Sequence, residues 1–465
     1  MNMINVRRLT VMTFLGAGML SGISAQVSPL QVDTLKETKI PDQWDLQSCI
    51  DYAKEQNITI RKNRITAVST QIDVKTAKAA LFPSLSFSTG HQVVNRPYQE
   101  TSSRVSGSEI ISSNSKTSYN GNYGLNASWT LYNGNKRLKT IQQEKLNNQM
   151  AELDVATSEN NIQESIAQVY IQILYAAESV KVNENTLQVS IAQRDRGQEL
   201  LNAGSIAKSD LAQLEAQVST DRYQLVTAQA TLEDYKLQLK QLLELDGENE
   251  MNIYLPALSD ENVLAPLPTK RDVYISALSF RPEIEASKLN VEASELGINI
   301  AKSSYFPTIS LSAGIGTNHT SGSDFTFGEQ VKNGWNNSIG LSVSVPIFNN
   351  RQTKSAVQKA KLQYETSMLS LLDEQKALYK TIESLWLDAN SAQQRYAAAN
   401  EKLKSTQISY ELISEQFNLG MKNTVELLTE KNNLLQAQQE QLQAKYMAIL
   451  NTQLLKFYQG DQLAI

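Results

Sequence analysis

The sequence predicts a mainly α-helical chain with a small transmembrane β part, written as two tandem repeats. Three observations carry this. Gly420 is the only glycine between Leu341 and Gln459, and no proline follows Pro346. Between Asn135 and Asp246 the only glycines are Gly197 and Gly204, and no proline lies between Pro97 and Pro256. Glycine and proline are the strongest breakers of regular structure, so two long helical runs are expected, each turning once, at Gly204 and Gly420 (420 − 204 = 216). Second, Ala77–Ser86 (AKAALFPSLS) recurs as Ala301–Ser310 (AKSSYFPTIS; 301 − 77 = 224), and Gly124–Ser128 recurs as Gly340–Ser344. Third, four short segments alternate apolar and polar residues with period two.

In chain order, residues 1–25 read as a secretory signal. Arg7 and Arg8 precede an apolar core from Leu9 to Leu20, and Ile23-Ser24-Ala25 supplies small residues for cleavage. Residues 26–45 are expected to be extended. The first repeat spans 46–255 and contains a helix, two strands and a long helical hairpin. A linker at 256–271, marked by Pro256, Pro266 and Pro268, leads to a second repeat of the same plan at 272–460, with a tail at 461–465. Cys49 is the only cysteine, so no intrachain disulfide can form.

The strands place Leu85, Phe87 and Thr89 on one face, then Tyr123, Leu125, Ala127, Trp129 and Leu131, then Ile309, Leu311, Ala313 and Ile315, then Ile339, Leu341, Val343 and Val345. The opposite faces are Ser, Asn, Gly and Thr. Apolar-out, polar-in strands with aromatic residues at their ends describe a transmembrane β-barrel. Phe82, Trp129, Tyr132, Tyr305, Phe306 and Phe348 lie at the ends nearest the helices. Four strands cannot close a barrel, and an open edge is not tolerated in hydrocarbon, so several copies must close it together. The loops at 96–120 and 318–336, rich in Ser, Asn and Gly, are expected to face outward and be mobile, beginning soon after Gly90 and Gly314.

The helices carry a seam at alternating spacings of four and three: Ile162, Ile166, Val169, Ile173, Ala176, Val180, Asn183, Leu187, and at +216 Leu378 through Leu403. After the first turn the pattern continues from Leu211 to Leu242. Such a seam is the mark of coiled-coil packing. Asn183 and Asp221 are polar within it, so they weaken it or face a channel.

With these features in place, the chain resembles the TolC-like outer-membrane efflux proteins. The resemblance rests on Leu81-Phe82-Pro83-Ser84 and Tyr305-Phe306-Pro307-Thr308, on the corners Leu131–Gly134 and Pro346–Asn350, and on the tips Gly204–Leu211 and Gly420–Leu427. It implies a homotrimer whose twelve-stranded barrel sits in outer-membrane lipid, above a long α-helical coiled-coil barrel in the periplasm of a Gram-negative bacterium. It further implies a periplasmic adaptor (membrane fusion protein), meeting the tip turns at Gly204 and Gly420, and an inner-membrane pump. Carried over residue by residue, the aperture falls on Glu426, an acidic ring. Thr429 stands where a second acidic ring is expected, Lys422 where arginine is usual, Asp210 on the other tip, and Phe417 where an aromatic hydroxyl is usual. Lys422 with Asp210 is the expected closing pair.

A net charge of −5 gives no footprint for nucleic acid. His91 and His319 are the only histidines, near strand ends, and could meet at an extracellular rim. No Cys/His metal cluster, phosphate loop or Ser-His-Asp set is present, so neither a cofactor nor enzymatic activity is expected. The alternatives are a structural coiled-coil spacer or adhesin, and a type I protein secretion duct.

Overall fold

The structure, a computed structural model, describes residues 41–98, 102–106, 109–113, 116–246, 251–256, 263–321, 323 and 325–463. The signal segment at 1–25, most of the segment at 26–45 and part of the linker lie outside them. In chain order, α1 (Leu46–Gln56) and α2 (Ile58–Ala79) lead to β1 (Ser84–Asn95), a ribbon of β2 (Ser102–Ser106) and β3 (Glu109–Ser113), and β4 (Thr117–Asn133). The hairpin of α3 (Lys136–Asn202) and α4 (Lys208–Leu242) completes this half. The second half follows with α5 (Lys270–Phe280), α6 (Pro282–Ser303), β5 (Thr308–Thr320), a short α7 (Phe327–Asn333) and β6 (Asn336–Ser344). It closes with the hairpin of α8 (Gln352–Asn418) and α9 (Thr424–Gln459).

The repeat is reproduced in the element boundaries. Helices α5 and α6 begin where α1 and α2 do after a shift of 224 (270 − 46; 282 − 58), and α8 and α9 begin where α3 and α4 do after 216 (352 − 136; 424 − 208). Each half opens with two helices rather than the single one expected. Asn57 ends α1 and caps α2, accepting from the Thr59 and Ile60 amides. Its equivalent, Arg281, precedes Pro282, whose ring drives the preceding residue out of helical conformation. Both breaks dock on the end of a long hairpin. Asn57 Nδ2 donates to the Leu242 carbonyl at 3.0 Å. Buried Arg281 lies 4.2 Å from the Tyr458 ring and pairs with Glu283 at 2.7 Å and Glu164 at 3.2 Å. Leu242 and Tyr458 are themselves 216 apart (458 − 242).

The four long strands form one antiparallel sheet in the order β1-β4-β5-β6. Two expectations are corrected here. β1 and β5 run past Gly90 and Gly314 to Asn95 and Thr320, because residues such as Val93, Val94 and Thr317 favour extended backbone. The loops beyond them hold the β2–β3 ribbon and α7. A bulge between Thr130 and Tyr132 removes Leu131 from the ladder and pairs Tyr132 with Ile309, so Tyr132 takes the place on the apolar face expected for Leu131. That face is bare: Phe87 is 68 % exposed, Leu341 65 % and Ile339 79 %. Among the described residues neither β1 nor β6 is paired on its outer edge.

Helices α3 and α8 each have 67 residues, about 100 Å at 1.5 Å per residue. The main core lies partway along them, where α1, α5 and the end of α9 pack on their seams through residues such as Cys49, Ile166, Ile173, Val273, Ile382 and Leu455. Connecting segments strap this level. Trp44 and Ile253 form a short parallel bridge. Gln393 donates to the carbonyls of Val263 and Ala265, and the Trp386 indole donates to Pro268. Among the described residues no helix is long and apolar enough to cross a membrane.

Candidate aperture at the helical tips

Each hairpin turns through a glycine in the left-handed region, Gly204 at φ +76° and Gly420 at φ +75°. The two turns are built alike. Ser205 N donates to Leu200 O and Gly204 N to Leu201 O; Met421 N donates to Gln416 O and Gly420 N to Phe417 O. This paired bonding satisfies carbonyls left over at a helix end and requires a left-handed residue, which glycine adopts at least cost.

Each return helix begins four residues later, and acidic residues sit in their first turns. Asp210 accepts from the Ala207 amide at 3.0 Å, folding back on its own helix start. Glu426 does the same and more. Its Oε2 accepts from the Asn423 amide at 3.2 Å while the Asn423 side chain accepts from the Glu426 amide at 2.9 Å, a reciprocal cap. Its Oε1 accepts from Lys422 Nζ at 2.5 Å. The Lys422 hydrogen bond first, and the Asn423 amide next, hold the Glu426 carboxyl below the usual glutamate range. Within one chain Lys422 therefore meets Glu426 rather than Asp210. Thr429 is exposed and donates to the Val425 carbonyl, and Phe417 is buried, 4 % exposed, under the second turn.

Further from the tips, a polar cluster lies where the seam was expected only to weaken or face a channel. Asp221 on α4 is 2 % exposed and Lys431 on α9 is 4 % exposed; they form an ion pair joined by Ser190 of α3. Gln217 Nε2 donates to the second Asp221 oxygen at 2.9 Å. Burial lowers the Lys431 pKa against the pull of Asp221. The pair belongs to neither repeat alone: the equivalent of Asp221 is Ala437 and that of Lys431 is Glu215. The signal that could have found it is Lys431 itself, a charge at a seam position four residues after Leu427. Asn183, the other polar seam residue, is buried and bonds the Ser179 carbonyl one turn back.

Among the described residues no group of three or more His, Cys, Asp or Glu is placed to hold a metal ion.

Comparison with known proteins gives a consistent result. The model of the outer membrane efflux protein family matches residues 49–244 and 273–460. The outer membrane efflux protein BepC of Brucella suis biovar 1 is 24% identical over 294 residues, 63% of this chain and 61% of that protein. The outer membrane protein TolC of Escherichia coli K12 is 24% identical over 294 residues, 61% of this chain and 58% of that protein. The matched segment thus spans about six-tenths of the length of these relatives. The crystal structure of CusC, described with transmembrane channel formation, superposes with a TM-score of 0.75 at 19% identity, over 90% of this chain and 92% of that one, and shares the fold.

Proposed function

The chain belongs to the outer membrane efflux protein family, and from that premise we propose that it is the outer-membrane duct of a tripartite export system. As a member of that family it is an outer-membrane protein. Three copies would contribute four strands each to a twelve-stranded barrel, and six helical hairpins would form the tunnel beneath. The observation that carries this reading is, among the described residues, a sheet with a bare apolar face and two unpaired edges, continuous with two hairpins of nearly equal length. A sheet open on both sides does not persist in hydrocarbon, so assembly follows from hydrogen bonding. An eight-stranded barrel is filled by side chains, whereas twelve strands leave room for a bore. A periplasmic adaptor would dock at the Gly204 and Gly420 turns, and an inner-membrane pump would supply the energy.

At the tips, Glu426 is the residue that would ring the axis, and Lys422 is the counter-charge that keeps it paired when closed. Thr429 adds no charge to the constriction, Asp210 stiffens the neighbouring turn, and Phe417 anchors the second turn from beneath. The test is planar-bilayer recording of the purified oligomer. A cation-preferring pore is expected, with weaker cation preference in Glu426→Ala and higher resting conductance in Lys422→Ala. A stable single-copy species without conductance would sink the duct; unchanged selectivity in Glu426→Ala would remove that residue from the gate.

A further inference from the structure

His91 on β1 and His319 on β5 both stand opposite Gly121 of β4 in the strand register. Gly121 has no side chain, and the two imidazoles close over it. The glycine is buried, and a methyl group there would come within 2.5 Å of His319 Nδ1 and 3.3 Å of His91 Nδ1. The two nitrogens border one small gap. His91 Nε2 lies 3.1 Å from Thr89 Oγ1, and its Nδ1 lies 2.7 Å from the Tyr119 hydroxyl. With Nε2–H donating to Thr89, Nδ1 presents a lone pair, now occupied by the phenol proton. His319 Nδ1 is enclosed and has no hydrogen-bond partner. Rings of Tyr119, Tyr123 and Phe327 wall the pair, with Phe327 set edge-on to His319 at 5.0 Å.

The cluster is on the same face as Leu85 and Phe87, at the sheet end away from the helices. From Tyr119 to Trp129, ten residues rising about 3.4 Å each and tilted about 40° cover roughly 26 Å, the height of the apolar band of such barrels. The pair therefore sits at the outer headgroup level, where water and ions reach it. A buried ring nitrogen left without a partner is costly, and neutral imidazole is the preferred ligand of borderline divalent metals.

We propose that His91 and His319 form a binding site for a divalent transition-metal ion of the imidazole-preferring class, Cu²⁺, Ni²⁺ or Zn²⁺. The two Nδ1 atoms are the ligands, and water fills the remaining positions. Metal–imidazole bonds run about 2.0–2.1 Å, so both rings turn toward the gap to bring their Nδ1 atoms onto one ion. Tyr119 gives up its bond to His91 and turns to a metal-bound water. Thr89 orients the His91 ring.

The chain holds no other histidine, which makes the test clean. Tag-free, chelator-washed protein in detergent is titrated with Cu²⁺ by calorimetry and by electron paramagnetic resonance. One saturable equivalent per chain with nitrogen hyperfine structure is expected, and it is lost in His91→Gln/His319→Gln. Thr89→Val weakens binding about tenfold, as orienting partners of metal ligands do. Assembly of each variant is followed by gel migration, and a single His319→Gln serves if the double variant fails to assemble. Absence of binding to the wild type, or equal binding to the histidine variants, overturns the site and leaves the pair as part of an aromatic belt.

Discussion

At the scale of single residues, the least expected feature is the ion pair between Asp221 and Lys431. Removing one partner of a buried pair strands the other charge, so Lys431→Met alone should cost about 3–5 kcal/mol, whereas Asp221→Leu/Lys431→Met together should cost far less or nothing. Urea unfolding of the purified protein reads the difference; a double-variant loss equal to the sum of the two single-variant losses would show that the charges are not coupled. Glu426 gives a second prediction. Folding lowers its pKa, so its contribution is complete above the ordinary glutamate range and is lost as pH falls through the lower folded-state value. Lys422→Ala removes the largest cause of that lowering. The tip of this variant should therefore loosen at a higher pH than wild type, seen as earlier hydrogen exchange around residues 420–428.

At the scale of elements, the long helices were legible because nothing interrupts them, and the tip turns because glycine alone does. No side chain would meet a substituent at Gly420, so Gly420→Ala tests backbone strain alone. A left-handed residue with a Cβ costs about 1–2 kcal/mol, which should raise exchange at the second turn and leave the core near Ile173 and Ile382 unchanged. The strands were legible from alternation, yet their ends were not. Gly90 reads as punctuation, but the structure packs it against Asn122 across the ladder and extends the strand beyond it. The bulge at Leu131 is invisible for a related reason: period two continues through it in sequence, while pairing with Ile309 decides the face. The Asn57 break was missed although Asn favours caps over helix interiors; what holds the break in place is the Leu242 carbonyl, 185 positions away. At the tip the place of Asp210 and Glu426 just after the turns was legible, but not that Lys422 meets Glu426 one turn away, since i,i+4 pairing is decided only once the helix start is fixed.

At the scale of the whole molecule, the two faces of the sheet make opposite predictions. Leu341 and Ser342 are neighbours on β6 that point to opposite sides. If the sheet is membrane-embedded as proposed, Leu341→Arg puts a charge on the apolar face and should cost about 2–4 kcal/mol near the middle of the bilayer, while Ser342→Arg, on the polar face, should assemble normally but change conductance. Yields of heat-modifiable oligomer distinguish them, and equal yields would argue against a membrane-embedded sheet.

The matched lengths of α3 and α8 set a rule for how such a chain can change over generations. A seven-residue insertion into one rod alone would leave its turn about 10 Å proud of its neighbour, spoiling any flat rim offered to a docking partner. Viable lengthening must strike both halves in step, so the duplicated architecture acts as a gauge on its own descent.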